Sequence, residues 1–249
     1  MAEKIALSMG KFIAHNSVYQ NYWEFTKILT PHLRRAAFLG GGAFAMPEAV
    51  IDYFPDAEVD VLEIDPSVIE VGREYFRVDD YDDNMNAIAD DARRYLLLNE
   101  GTYDFIFGDA YNGIRYIPPH LASYEFFELI EERLNENGVY MMNIISSIEG
   151  ENSLLFEYIH ETLSGVFENV YVFARYENHL NLTQNIIIVC ANHEIDFEEL
   201  AQENRSNDTL SVLLSDYVPH DRYDTSHGDI ITDDHNPIEY IVSKSLLTR

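Results

Sequence analysis

A single cysteine, Cys190, is all the thiol the 249-residue chain carries. An intramolecular disulfide is therefore excluded, and so is a zinc site built from several cysteines. Inside the apolar run Ile186–Cys190 the thiol reads as a buried structural group. Long apolar runs are missing as well: nowhere do about 18 apolar residues follow one another, so no membrane span is expected. Met1–Lys11 has neither an apolar core nor a small-residue cleavage site. No signal peptide is read there, and a cytoplasmic location is expected. Positive charge is scarce: 16 Lys and Arg stand against 44 Asp and Glu, a formal charge of −28. Such a surface repels phosphate backbones and anionic lipids, which argues against nucleic-acid and membrane partners and favours cationic ligands. The chain has no internal repeat and no low-complexity linker. His179, His193, His220, His227 and His235 are scattered without ligand spacing, so no metal site is expected.

What is present is a core and a pattern. Hydrophobic residues make up 47% of the chain, enough for an α/β domain of ordinary size. The most informative stretch runs from Ala36 to Asp65. An apolar run stops at Gly40, Gly41 and Gly42, a helical segment follows, and a second apolar run ends in Glu63 and Asp65. This is the pattern of a strand, a glycine turn, a helix and a strand with a carboxylate at its tip, the shape of a nucleoside half-site. A first helix is expected over residues 16–35, capped by Asn16 or Ser17. Strands are expected at 36–39, 58–63, 85–89, 105–108, 139–145, 169–174 and 185–191. Helices are expected at 45–54, from Pro66, and at 92–99, 123–134, 152–163, 197–203 and 209–215, with Asn137-Gly138 closing the helix at 123–134. Strands and helices alternate through the fifth strand, which predicts a mostly parallel seven-stranded sheet with helices on both faces. The division expected is a segment 1–35, a nucleoside-binding core 36–191 and an extension 192–249, all in one domain.

Ligands of such sheets lie beyond the carboxyl ends of the strands, so the residues there are read as chemistry. Glu63 stands where an acid accepts hydrogen bonds from ribose hydroxyls; its structural alternative is a cap or surface acid. After the third strand, Asp90 is placed to accept from an exocyclic adenine amine, and Asp91 to cap the following helix. Asp109 closes Phe105-Ile106-Phe107-Gly108, where a rigidly held carboxylate can take a proton from an amine or bind an ammonium. Tyr111 and His120 flank the mouth of the site, although aromatic loop packing also explains the tyrosine.

Together these segments resemble the spermidine synthase (polyamine aminopropyltransferase) family, on the Rossmann-like class I methyltransferase fold. Tyr19-Gln20 is similar to the family's Tyr-Gln pair, and Leu39-Gly40-Gly41-Gly42 to its glycine loop. Leu62-Glu63-Ile64-Asp65-Pro66-Ser67-Val68-Ile69 is similar to its Glu-Ile-Asp signature. Asp90-Asp91-Ala92-Arg93, Tyr103 through Asp109, and Pro118 through Phe127 complete the likeness, which spans residues 19–190. The tail Thr232-Asp233-Asp234-His235-Asn236-Pro237-Ile238-Glu239 resembles the ending of the bacterial spermidine-synthase-like subgroup. The resemblance implies that Gly40–Gly42, Glu63, Ile64, Asp90 and Asp91 hold the donor nucleoside. It makes Asp109 the base, and places Tyr19, Gln20, Tyr111, Asn112 and His120 around the acceptor. The donor would be decarboxylated S-adenosylmethionine, the acceptor a diamine such as putrescine, with no prosthetic group. Ala43 stands where the family has an Asp for the donor's amine, and Asn112 where it has a second acid. On this resemblance the family's N-terminal β-domain is expected to be absent or reduced to the first residues. A methyltransferase using S-adenosylmethionine and a non-catalytic nucleoside-binding homologue are the alternative readings. A homodimer is expected, with Tyr22 and Trp23 as exposed aromatics on the first helix.

Overall fold

Strand β1 (Arg35–Leu39) sets the plan of the molecule: its side chains divide by parity between two cores. Ala36 and Phe38 enter one core, Ala37 and Leu39 the other. The same split recurs in β5 (Leu134–Ser146), where Val139 and Met141 face one way and Tyr140, Met142 and Ile144 the other. Burial on both faces is why these strands read as unbroken apolar runs. The computed structural model describes residues 18–111 and 117–247.

Between β1 and β5 lie β2 (Glu58–Glu63), β3 (Met85–Ala89) and β4 (Tyr103–Gly108). They are joined through helices α2 (Ala45–Tyr53), α3 (Pro66–Tyr75) and α4 (Ala92–Leu98). Helix α5 (Tyr124–Glu132) leads into β5, and α6 (Leu154–Ser164) leads to β6 (Asn169–Ala174). The sheet is completed by β7 (Gln184–Ala191) and β8 (Tyr217–Val218), in the order β3-β2-β1-β4-β5-β7-β6-β8. The first five strands are parallel. β7 runs antiparallel to both β5 and β6, and β8 antiparallel to β6. The expected mostly parallel seven-stranded sheet is thus corrected to eight strands of mixed orientation. No helix separates β6 from β7, so the chain turns back beside itself instead of crossing over. β8 is a two-residue pairing against Val172 and Phe173, too short to leave a period in the sequence.

Two local expectations also change. Asn137 and Gly138 do not close a helix: α5 ends at Glu132, and both residues lie within β5. They fall where the β4–β5 register jumps, from Tyr103 opposite Leu134 to Phe105 opposite Val139, an irregular turn held by Asn135 Nδ2 donating to Asp104 at 2.6 Å. The first helix is a 3-10 segment, Val18–Phe25, followed by one α turn, α1 (Thr26–Leu29). Pro31 disfavours helical backbone at Thr30 and ends it there. The proposed caps Asn16 and Ser17 lie outside the described residues. Tyr22 is not exposed. It is 3% accessible, packs edge-on against Phe25 and Phe173, and donates to Asp216 Oδ2 at 3.0 Å. Trp23 is half-buried under the Lys27 ammonium, 4.3 Å from its ring.

The tail adds α7 (Phe197–Glu203) and α8 (Asp208–Ser215) to one face. Helix α9 (Ile238–Leu247), whose apolar residues Ile238, Ile241, Val242 and Leu246 recur at helical spacing in the sequence, seats Ile238, Ile241 and Val242 in the core of the other.

Candidate active site

The carboxyl ends of β1, β2 and β4 are tied into one rim by backbone hydrogen bonds. Gly40 N–H donates to Leu62 O at 2.8 Å, and Asp109 N–H donates to Leu39 O at 2.9 Å. Gly40 has φ 109°, and a Cβ there would sit 2.6 Å from the Asp109 carbonyl oxygen. Only glycine admits both the backbone angle and the approach. Four residues on, Phe44 takes φ 57° as the N-terminal cap of α2 and is 1% exposed. Its ring fills the space left by Gly72 of α3, where a Cβ would meet Phe44 Cε2 at 2.6 Å. The glycine turn is thereby fastened to α3 from beneath.

Glu63 ends β2 and braces this turn. Its Oε2 accepts from Gly41 N–H and its Oε1 from Asp65 N–H, each at 3.0 Å. Asp65 is the cap of α3, accepting from Ser67 N–H at 2.9 Å. After β3, Asp91 caps α4 by accepting from Arg94 N–H at 2.9 Å. Its other oxygen lies 2.7 Å from His120 Nε2. Against desolvation, these bonds hold the Asp91 carboxyl below the usual carboxylate range. Asp90 accepts from Asp91 N–H at 2.8 Å and pairs with Arg94.

Asp109 stands at the tip of the central strand β4. Desolvation raises its carboxyl from an ordinary 3.8 to about 7, against the pull of one hydrogen bond from Asn143 Nδ2 at 2.8 Å. Asn143 is buried on β5, and its own Oδ1 has no hydrogen-bond partner among the described residues. Leaving an acceptor buried and unpaired costs roughly 1–3 kcal/mol, so its persistence beside the carboxylate marks a place for a donor. Tyr111 Oη donates to the Asn143 carbonyl at 3.0 Å.

These residues line one cleft of about 830 Å³. Gly40, Gly42, Glu63, Ile64, Asp90, Asp91, Asp109, Tyr111 and His120 all border it. Ile64 is 69% exposed there, an apolar side chain open to a flat ligand face. Gly41 joins through its bond to Glu63, and with Ala43, Phe44, Phe107 and Asp109 it borders a smaller cavity of about 70 Å³. Of Tyr19 and Gln20 the structure gives the backbone, within Val18–Phe25. Asn112 lies outside the described residues. Sequence reasoning missed Asn143, although a lone amide within Val139–Ile145 at the fifth strand's carboxyl end was a usable signal.

Residues 18–199 match the family model described as spermine/spermidine synthase domain. The polyamine aminopropyltransferase of Vibrio vulnificus is 32% identical over 149 residues, which cover 59% of this chain and 48% of that protein. The chain thus spans about half the length of this curated relative. A probable spermidine synthase from Corynebacterium glutamicum superposes with TM-score 0.63 at 21% identity, covering 92% of this chain and 77% of that one. Human methyltransferase-like protein 13, solved in complex with SAH, superposes with TM-score 0.60 at 22% identity, covering 83% of this chain and 93% of that one. At these identities the structural likeness establishes the fold, a Rossmann-like α/β arrangement of the methyltransferase type.

Proposed function

The chain belongs to the spermine/spermidine synthase family, and on that footing we propose that it transfers an aminopropyl group from decarboxylated S-adenosylmethionine to an amine such as putrescine. The observation that carries this reading is Asp109, a desolvated carboxyl poised at about 7, on the same cleft as the braced Glu63 and the glycine turn. The polyamine aminopropyltransferase of Vibrio vulnificus supports the choice of reaction. Glu63 would accept from the donor's ribose, Ile64 would lie against its base, and Asp90 and Asp91 would face the base edge. The sulfonium supplies the electrophile. The acceptor nitrogen's lone pair forms the new C–N bond, the C–S bond breaks with its electrons going to sulfur, and methylthioadenosine leaves. The proton released from nitrogen passes to Asp109. A base near 7 suits an amine far better than an ordinary carboxylate does, because proton transfer works best between matched groups. The unpaired Asn143 Oδ1 would take a second N–H of the same nitrogen and aim its lone pair. The described chain would act as one unit, since β1 to β5 supply every one of these contacts.

A second reading, methyl transfer from S-adenosylmethionine, is favoured by one observation. Ala43, on the glycine turn, puts a methyl group where the family has an acid for the donor's amine. A donor that keeps its carboxylate would be repelled by that acid and is tolerated without it. The test is calorimetry and turnover with both donors, with putrescine as acceptor. The proposal expects methylthioadenosine and the decarboxylated donor to bind more tightly than S-adenosylmethionine, and spermidine to accumulate. Preference for the carboxylated donor with transfer of a methyl group would replace it with the second reading. Binding of neither would leave a non-catalytic homologue.

A further inference from the structure

The tail motif Thr232–Glu239 takes no part in the chemistry above, yet its second residue is deeply engaged. Asp233 receives both outer nitrogens of the Arg93 guanidinium, Nη1 to Oδ1 and Nη2 to Oδ2, each at 2.6 Å. Ser123 Oγ donates to the same Oδ1 at 2.7 Å, and Asp233 N–H donates to Glu125 Oε2 at 2.9 Å. Alongside, Asn236 Nδ2 donates to Pro119 O at 2.8 Å, and Tyr124 N–H to Ile231 O at 2.7 Å. Arg93 Nη1 also reaches the His120 carbonyl at 3.2 Å.

The pieces so joined form one wall of the cleft. Asp91 and Ala92 come from the start of α4; Pro118, His120 and Leu121 come from the short turn ahead of α5. On the cleft side these pieces meet through His120 and Asp91. Behind them, the two-pronged Arg93–Asp233 pair fixes angle as well as distance, because a guanidinium fork matches a carboxylate in one plane. Without Asp233, the Arg93 cation lies two residues from Asp91 and would compete with His120 for it.

We propose that Asp233 is a positioning residue for the nucleoside wall. Acting through Arg93 and Ser123, it sets the spacing of α4 and the Pro119–Leu121 turn, and with it the grip on the donor's base. The proposal rests on the adenosyl-donor reading of the cleft. It assigns the acidic tail motif to donor binding, 140 residues in sequence from the helix it fixes.

The test uses the full chain and the variants Asp233→Asn, Asp233→Glu and Arg93→Lys. Asp233→Asn is expected to weaken methylthioadenosine about tenfold by calorimetry and to raise the donor KM equally. It should leave kcat and the acceptor KM within about twofold, and Asp233→Glu should recover most of the affinity, whereas Arg93→Lys, which keeps the charge but not the fork, should not. The Leu121 and Ala122 amides, which donate to Pro118 O and Pro119 O, should exchange hydrogen at least about tenfold faster in Asp233→Asn without any ligand. Unchanged affinity in a variant whose parent binds overturns the proposal, as does an equal rise of both KM values with a lowered melting temperature. If the parent itself does not bind methylthioadenosine, the donor reading fails. The exchange measurement then judges the clasp alone, and unchanged protection overturns it.

Discussion

Replacing Asp109 by Asn should damage catalysis and strengthen the fold, in a pH-dependent way that only a desolvated base explains. In the folded chain this carboxyl ionises at about 7, and its ordinary value is 3.8. Between those values the folded state holds more protons than the unfolded one, so stability falls as pH rises through that window. Each unit corresponds to about 1.36 kcal/mol, so ionisation costs the fold about 4 kcal/mol at pH 8, roughly 1.5 to 2 at pH 5, and almost nothing below pH 3. Asparagine keeps the shape and the acceptor for Asn143 Nδ2 but carries no charge. The variant should therefore exceed its parent in urea-unfolding free energy by about those amounts. In a chain of this length that is on the order of 10 °C of melting temperature at pH 8. Transfer should meanwhile fall by about 10² to 10⁴, while methylthioadenosine affinity stays within about threefold. The parent's rate should rise with pH through about 7 as the carboxyl ionises. A stability offset that is equal at pH 5 and pH 8 would falsify the desolvation argument. Unchanged turnover would remove Asp109 from the chemistry.

Three further outcomes are expected. Glu63→Gln leaves one oxygen where two backbone N–H groups are now served; methylthioadenosine should bind about 10 to 100 times more weakly by calorimetry, and equal binding would dismiss Glu63 as the nucleoside's anchor. Gly40→Ala places a methyl 2.6 Å from the Asp109 carbonyl at φ 109°, and urea unfolding should show a loss of about 2 kcal/mol or more; an unaltered midpoint would mean that the rim yields. Tyr22→Phe strips a hydrogen bond from Asp216, a carboxyl that burial raises to about 6. A loss of about 1–3 kcal/mol at pH 8 is expected, and no loss would place the N-terminal segment outside the cooperative fold.

Much of the site could be read in the sequence because chemistry here begins where periodicity stops. Gly40–Gly42, Glu63, Asp90, Asp91 and Asp109 each follow an apolar run, and a polar residue at that point has left the core and entered the ligand's side of the sheet. Asn143 escaped notice because it lies inside the apolar run itself. Its role depends on β4 and β5 being neighbours, which no local pattern states. Asp233 and Arg93 are a matched pair only once the tail has returned across the molecule. Tyr22 looked like an exposed aromatic because the partner that buries it, Asp216, is 194 positions away. The length of β5 was hidden for a different reason: Asn-Gly ordinarily ends an element, and here it interrupts one that resumes.

The seating of Phe44 against Gly72 ties two distant positions into one unit of inheritance. A side chain at 72 needs the ring at 44 to shrink first, and a glycine at 44 would open a void that 72 could then fill. Either change alone passes through a damaged intermediate, and the two together exchange one plug for another. Relatives with glycine at 44 should therefore be free to vary at 72, while those with an aromatic ring at 44 should not. Position 43, which lies between the anchored ring and the glycines, is spared this constraint. On the proposed reading of position 43, preference between the two donors would drift at a single residue while the frame that presents it stays locked.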